Sequence, residues 1–152
     1  MTTRAKNPAM IIVVGVFVWV GMVLGISFLE SWLKFQAPGI TLALGVGIGR
    51  LVFSALNKIE LVLAAIILLV WWKSNDRTIK SSRLPAFAIA VAVLLIQTLI
   101  LLPVMDNRAE MHLTGMTVPP SNLHFYYVGG EILKLTGLVI FGVSHMKFIT
   151  KT

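Results

Sequence analysis

The sequence predicts an all-α, polytopic membrane protein: a bundle of four transmembrane helices with a short interfacial or re-entrant helix before the second span. Three observations predict it. Apolar residues make up 57% of the 152 residues and charged residues only 12%, about half the charge of an ordinary globular domain. The mean hydropathy is +0.90. Apolar runs of about 20 residues, the length a bilayer core requires of a helix, recur along the chain. In lipid no water is on hand for backbone amides, so each run must satisfy its hydrogen bonds within itself, as a helix. The length suits one integral membrane domain over residues 1–152 and no second one.

The first span is expected over about 10–33, opening MIIVVGVFVWVGMVLGISFL. Arg4 and Lys6 precede it, as they would a signal peptide. Its apolar run is longer than a signal core and no Ala-x-Ala site follows, so it reads as retained. The next hydrophobic region, residues 39–72, would measure roughly 50 Å as one helix. Pro38 and the glycines at 45, 47 and 49 predict a break there, because glycine costs about 1 kcal/mol relative to alanine inside a helix. A short interfacial or re-entrant piece is therefore expected over about 39–48, followed by a span over about 50–72. Trp71 and Trp72 would anchor that span at the interface. The third span is expected over about 85–104, opened by Pro85 in its first turn. The fourth is expected over about 125–146, after a polar loop containing Pro119 and Pro120.

Basic residues set the expected topology. Arg4 and Lys6, then Lys73, Arg77, Lys80 and Arg83, then Lys147 and Lys151 all fall on one side of four spans. The long opposite loop holds Arg108 beside Asp106 and Glu110. The positive-inside rule then makes both termini cytoplasmic, in the inner membrane of a cell. The net charge of +7 is accounted for by orientation and by lipid phosphate, so nucleic acid is not expected as a partner. There are no cysteines, which excludes disulfides, thiol redox chemistry and thiolate zinc sites.

Charge within a span is costly and is usually paired or functional. On the first helix Ser27, Glu30, Ser31 and Lys34 form one stripe, with Glu30 and Lys34 in the favourable i,i+4 order. On the second, Arg50, Ser54 and Asn57 form another, with Lys58 and Glu60 nearby. On the fourth, His124, Tyr127, Glu131 and Lys134 share a face. Packed inward, these stripes predict one polar pocket open to the periplasmic side. In it Glu30, Glu60 and Glu131 are balanced by Lys34, Lys58 and Lys134, with Arg50 near the mouth. The plainer alternative is a salt-bridge network that only fixes helix register. Gly21 and Gly25 make a GxxxG pair, of the kind that brings helices close.

Metal and catalytic readings rest on less. Met111, His112, Met116 and His124 offer thioether and imidazole ligands suited to Cu(I), but their spacing matches no tight motif. His145 reads as an interface residue. No Ser/His/Asp array, nucleotide loop or HExxH is present, and no cofactor is expected. His124 with Glu131 suits acid–base chemistry and equally the binding of a head group.

Further residues carry a likeness. The stretch KFQAPGITLALGVGIGRLVFSALNKIELVLAAIILL, and later LLPVMDNR followed by LHFYYVGGEILKL, resemble the transmembrane protein 205-like family, a four-helix membrane group. The resemblance covers about three quarters of the chain. It implies shared positions at Pro38, Gly49, Arg50, Phe53, Arg108 and His124. On the fourth helix the family leads one to expect an asparagine-like residue where Glu131 or its neighbour stands. No reaction follows from the resemblance.

Together these readings predict a pocket protein that binds or moves a small polar or amphipathic ligand or a lipid head group. Membrane lipid is the expected partner, with a homo-oligomer or a larger complex as the setting. The rival from another class is a structural subunit or assembly factor whose charged stripes pair with partner helices. A third reading is a membrane-embedded enzyme acting on lipid or quinone.

Overall fold

A computed structural model describes residues 3–74 and 83–150 of the chain, and among these residues there is helix and no strand. Four helices are long and apolar enough to cross a membrane: Pro8–Gln36, Leu42–Lys73, Leu84–Leu113 and Leu123–Lys147. They are the expected four, but the second and third run well past the predicted limits.

Neighbouring helices are antiparallel throughout. Between the first and second, Gly15 meets Ile67, Trp19 meets Glu60 and Lys34 meets Gly49. Between the second and third, Arg50 meets Asp106 and Asn57 meets Thr98. Between the third and fourth, Gln97 meets Gly130 and Ala86 meets Gly137, while Val16 of the first meets Gly142 of the fourth. The result is an up-down-up-down bundle. Both helical termini and the helix ends at Lys73 and Leu84 lie at one end, and the 37–41 turn and the 114–122 loop at the other. Of the basic residues expected at the terminal end, Lys73, Arg83 and Lys147 are there. Arg77, Lys80 and Lys151 lie outside the described residues, as do the side chains of Arg4 and Lys6.

The expected interfacial or re-entrant piece over 39–48 is not formed. Thr41 caps the second helix, its hydroxyl accepting from the Leu44 amide at 3.2 Å, and one continuous helix runs Leu42–Lys73. Only the turn before it is irregular, with Gly39 at φ 82°, a left-handed conformation that suits glycine. The other glycines serve packing. A Cβ at Gly45 would collide with the Phe35 ring, and one at Gly49 would fall 2.9 Å from the Lys34 Nζ. Their propensity cost is offset by the close approach of the end of the first helix, an effect that outweighs a weak local preference.

The third helix continues through Pro103 to Leu113. Proline donates no amide hydrogen and its ring crowds the carbonyl one turn back. The helix widens into a π stretch at Gln97–Leu101 immediately before it, which accommodates that ring without ending the helix. Asp106, Arg108 and Glu110, expected in a loop, are therefore on a helix.

The GxxxG pair of the first helix packs against nothing, since no atom lies within 4 Å of a Cβ built at Gly21 or Gly25. Close approach instead uses Gly137, whose Cβ would meet the Ala86 carbonyl oxygen at 2.5 Å. The apolar core fills the terminal half of the bundle. There Phe87 stacks on Phe141 at 4.7 Å and Trp19 stands edge-on to Phe87 at 6.3 Å. The other half is polar inside.

Candidate functional site

Two polar regions follow one another along the bundle axis. The first is at its centre, with each helix contributing a residue from near its own middle: Trp19, Glu60, Gln97 and Lys134. Glu131 and Tyr127 join from the turns before Lys134. Glu60, Gln97, Glu131 and Lys134 are all at 1% exposure or less. The Lys134 ammonium reaches Glu60 Oε1 at 2.5 Å and Glu131 Oε1 at 3.1 Å, and donates to Gln97 Oε1 at 2.8 Å. Trp19 Nε1 donates to Glu60 Oε1 at 2.7 Å. Gln97 Nε2 donates to Glu131 Oε1 at 3.2 Å and to the Tyr127 carbonyl at 3.4 Å. Spacing places Glu131 and Lys134 on one face of the fourth helix. Gln97 interrupts an otherwise apolar run, so it has to find partners inside the bundle.

The second region is a cavity of about 520 Å³ between the helix ends away from the termini. Lys34, Arg50, Lys58, Asp106 and His124 line it, together with the rings of Phe35 and Phe53. Lys34 bonds Glu30 at 3.3 Å and sits 5.5 Å and 5.6 Å from the centroids of those two rings. Arg50 is paired with Asp106, donating from Nη2 to Oδ2 at 2.9 Å, and approaches Glu110 at 3.8 Å. Arg108 donates to the Pro119 carbonyl and so ties the 114–122 loop down beside the cavity.

One layer of side chains separates the two regions. Asn57 donates to Thr98 Oγ1 at 2.8 Å, and Thr98 donates to the Leu94 carbonyl at 2.7 Å. Phe53 packs edge-on against Tyr127 at 5.4 Å. Asn57, Thr98 and Phe53 face the cavity, and one turn further along the second helix from Asn57 stands Glu60.

The residues expected in one pocket are thus divided. Lys34, Arg50, Asn57, Lys58 and His124 line the cavity. Glu60, Tyr127, Glu131 and Lys134 are in the buried cluster. Glu30 is partnered with Lys34 and is not among the cavity's lining residues. The expected one-to-one balance is also different. Lys134 serves both Glu60 and Glu131, while Lys58 is exposed at the cavity. Sequence reasoning missed Trp19, Gln97 and Thr98, and placed Asp106 in the outer loop and not at the cavity. The lone amide of Gln97 was the available signal. Asp106 was hidden by ending the third helix too early.

Met111, His112 and Met116 do not line the cavity that His124 lines, and Met116 is 59% exposed. Among the described residues no three His, Asp or Glu side chains gather as metal ligands do. Comparisons with protein families, with characterised proteins and with solved structures return no match.

Proposed function

We propose that this chain is a multi-pass inner-membrane protein with both termini cytoplasmic, and that its cavity holds a small amphipathic molecule with an anionic head group, a lipid head group included. The outer surface supports the membrane part. Leu51, Leu99 and Phe125 are 72%, 72% and 74% exposed amid many other exposed apolar side chains, a surface that suits lipid and not water. Lys73, Arg83 and Lys147 at the terminal end agree with the positive-inside rule. The periplasmic side is then the one on which the cavity opens.

One observation carries the ligand reading: three basic side chains share the cavity's walls with phenylalanine rings and apolar residues such as Leu102 and Pro103. Its acidic lining residue, Asp106, is engaged by Arg50. Lys58 is an exposed residue of the cavity wall. Such a wall complements a negative head and an alkyl tail at once.

The test is a titration of the purified protein, in a neutral maltoside detergent, with dodecyl phosphate and separately with dodecyltrimethylammonium. Dodecyl phosphate is expected to raise the melting temperature saturably, and the cationic amphiphile is not. Lys58→Gln is expected to weaken the phosphate effect roughly tenfold, the worth of one charge-assisted contact. Equal responses to the two amphiphiles, or none to either, would overturn the reading. Co-purification of a stoichiometric protein partner would then favour the structural-subunit reading.

A further inference from the structure

The centre of the bundle is not charge-balanced. Two carboxyl groups, Glu60 and Glu131, share one ammonium, Lys134. Each helix brings a different group to face them. The first helix brings Trp19 and the third Gln97, neither of which titrates. The second brings Glu60, and the fourth brings Tyr127, Glu131 and Lys134. Among the described residues no second cation reaches the cluster. With all three charged groups ionised, one uncompensated negative charge would remain in a region closed to solvent, a costly arrangement.

The hydrogen-bond inventory is incomplete in the same place. Glu60 Oε2 and Glu131 Oε2 are buried without a hydrogen-bond partner, and the buried Tyr127 hydroxyl interacts with Glu131. One phenol hydroxyl cannot serve two such acceptors. A single added proton cancels the excess charge and converts one orphan oxygen from acceptor to donor. It leaves the other carboxylate matched one-to-one with Lys134.

The site also has a way out. The layer that separates it from the cavity is one side chain thick: Asn57 with Thr98, and Phe53 against Tyr127. Glu60 is one turn from Asn57, and Gln97 is adjacent to Thr98. Glycines at 129 and 130 precede Glu131 on the fourth helix, and the third helix carries its π stretch at the level of Gln97. Such departures from regular helix are frequent at functional sites.

We propose that Glu60 and Glu131 hold one exchangeable proton between them, making the centre of the bundle a proton-binding site reached from the cavity. The proposal stands apart from the ligand reading, since it rests on the central cluster alone. Two carboxylates sharing one proton titrate as a pair, and the proton belongs to neither alone.

Infrared difference spectroscopy of the full chain in nanodiscs tests it, with pH as the variable. One carboxylic-acid C=O band per chain is expected, shifted in D₂O, lost on alkalinisation and restored on acidification. Glu60→Gln and Glu131→Gln are each expected to abolish it, because the remaining carboxylate is then paired with Lys134. That result distinguishes a proton held by the charge excess of the pair from one held on a single carboxyl by burial alone, which one of the two substitutions would spare. Absence of the band in the unmodified protein at every pH would overturn the proposal, as would a band surviving either substitution. If no band is found and sodium, at constant ionic strength, raises the melting temperature, the cluster takes up a metal cation and the proton assignment fails.

Discussion

The central cluster and the cavity use the same chemistry, lysine or arginine against carboxylate, and differ in water. At the centre Lys134 has no exposure and its two carboxylates have none to speak of. At the cavity the side chains of Arg50 and Asp106 are 33% and 45% exposed. The difference teaches which charges are locked into the fold. In a dry site an ion is held by its partners, and removing one strands the other. Beside open space the same pair is screened, contributes little to stability, and leaves its charge available to a ligand. The first arrangement suits a proton held in reserve, and the second suits recognition.

The largest effect should therefore come from Lys134→Met. It leaves two carboxyl groups buried without a cation, a loss on the order of 3–5 kcal/mol for a pair broken on one side. The expected readouts are poor accumulation and a lower melting temperature. Adding Glu60→Gln and Glu131→Gln to the same chain should recover much of the loss, the mark of coupled sites. A stable single variant would break the comparison, because the centre would then behave like the surface.

Glu131→Gln should cost far less, about 1 kcal/mol or under, typical of a substitution that leaves no buried charge alone. The one-to-one balance expected from the sequence implies the opposite, that losing Glu131 strands a lysine. Lys134 keeps Glu60 at 2.5 Å and Gln97 at 2.8 Å, and a glutamine oxygen still accepts from Gln97. Thermal denaturation of the two variants side by side would sharpen the contrast between a shared cation and its replaceable partners.

That reversal illustrates what was legible beforehand. The four helices were, because a run of apolar residues in lipid leaves the backbone no alternative to helix. The faces were too: i,i+3 and i,i+4 spacing correctly paired Glu30 with Lys34 and Glu131 with Lys134. Partners on other helices were not, since nothing local specifies that Glu60 and Glu131 converge on one ammonium. The division into two sites depends on Phe53 meeting Tyr127, a contact between apolar surfaces with no charge pattern to announce it. The glycines and the end of the third helix both misled. Gly45 and Gly49 were read by their local preference, but tertiary packing decides. The third span was expected to end near residue 104, but a π stretch lets the helix continue past Pro103.

At the cavity, Arg50→Gln should lower the melting temperature slightly, and the difference from the unmodified protein should shrink as salt is raised. Its partners Asp106 and Glu110 are 45% and 62% exposed, so water takes over from the guanidinium when it is removed. A large loss that salt does not touch would mean that the fold depends on this pair as much as on the central one.

The smallest effect on stability belongs to Lys58→Gln, and it isolates the comparison most cleanly. Lys58 is one residue from Asn57, but about 100° round the helix from it at 3.6 residues per turn. Asn57 is consequently buried against Thr98 while Lys58 is exposed at the cavity. Neutralising it strands no carboxylate, so the melting temperature without ligand should not move. Its loss should appear only when an anionic amphiphile is added, as weaker binding at low salt and little difference at high salt. Lys134→Met and Lys58→Gln thus remove the same charge from one bundle with opposite signatures, the first on folding and the second on recognition. If Lys58→Gln instead lowers the melting temperature as Lys134→Met does, the cavity charges are structural after all, and the division between a locked centre and an available mouth is wrong.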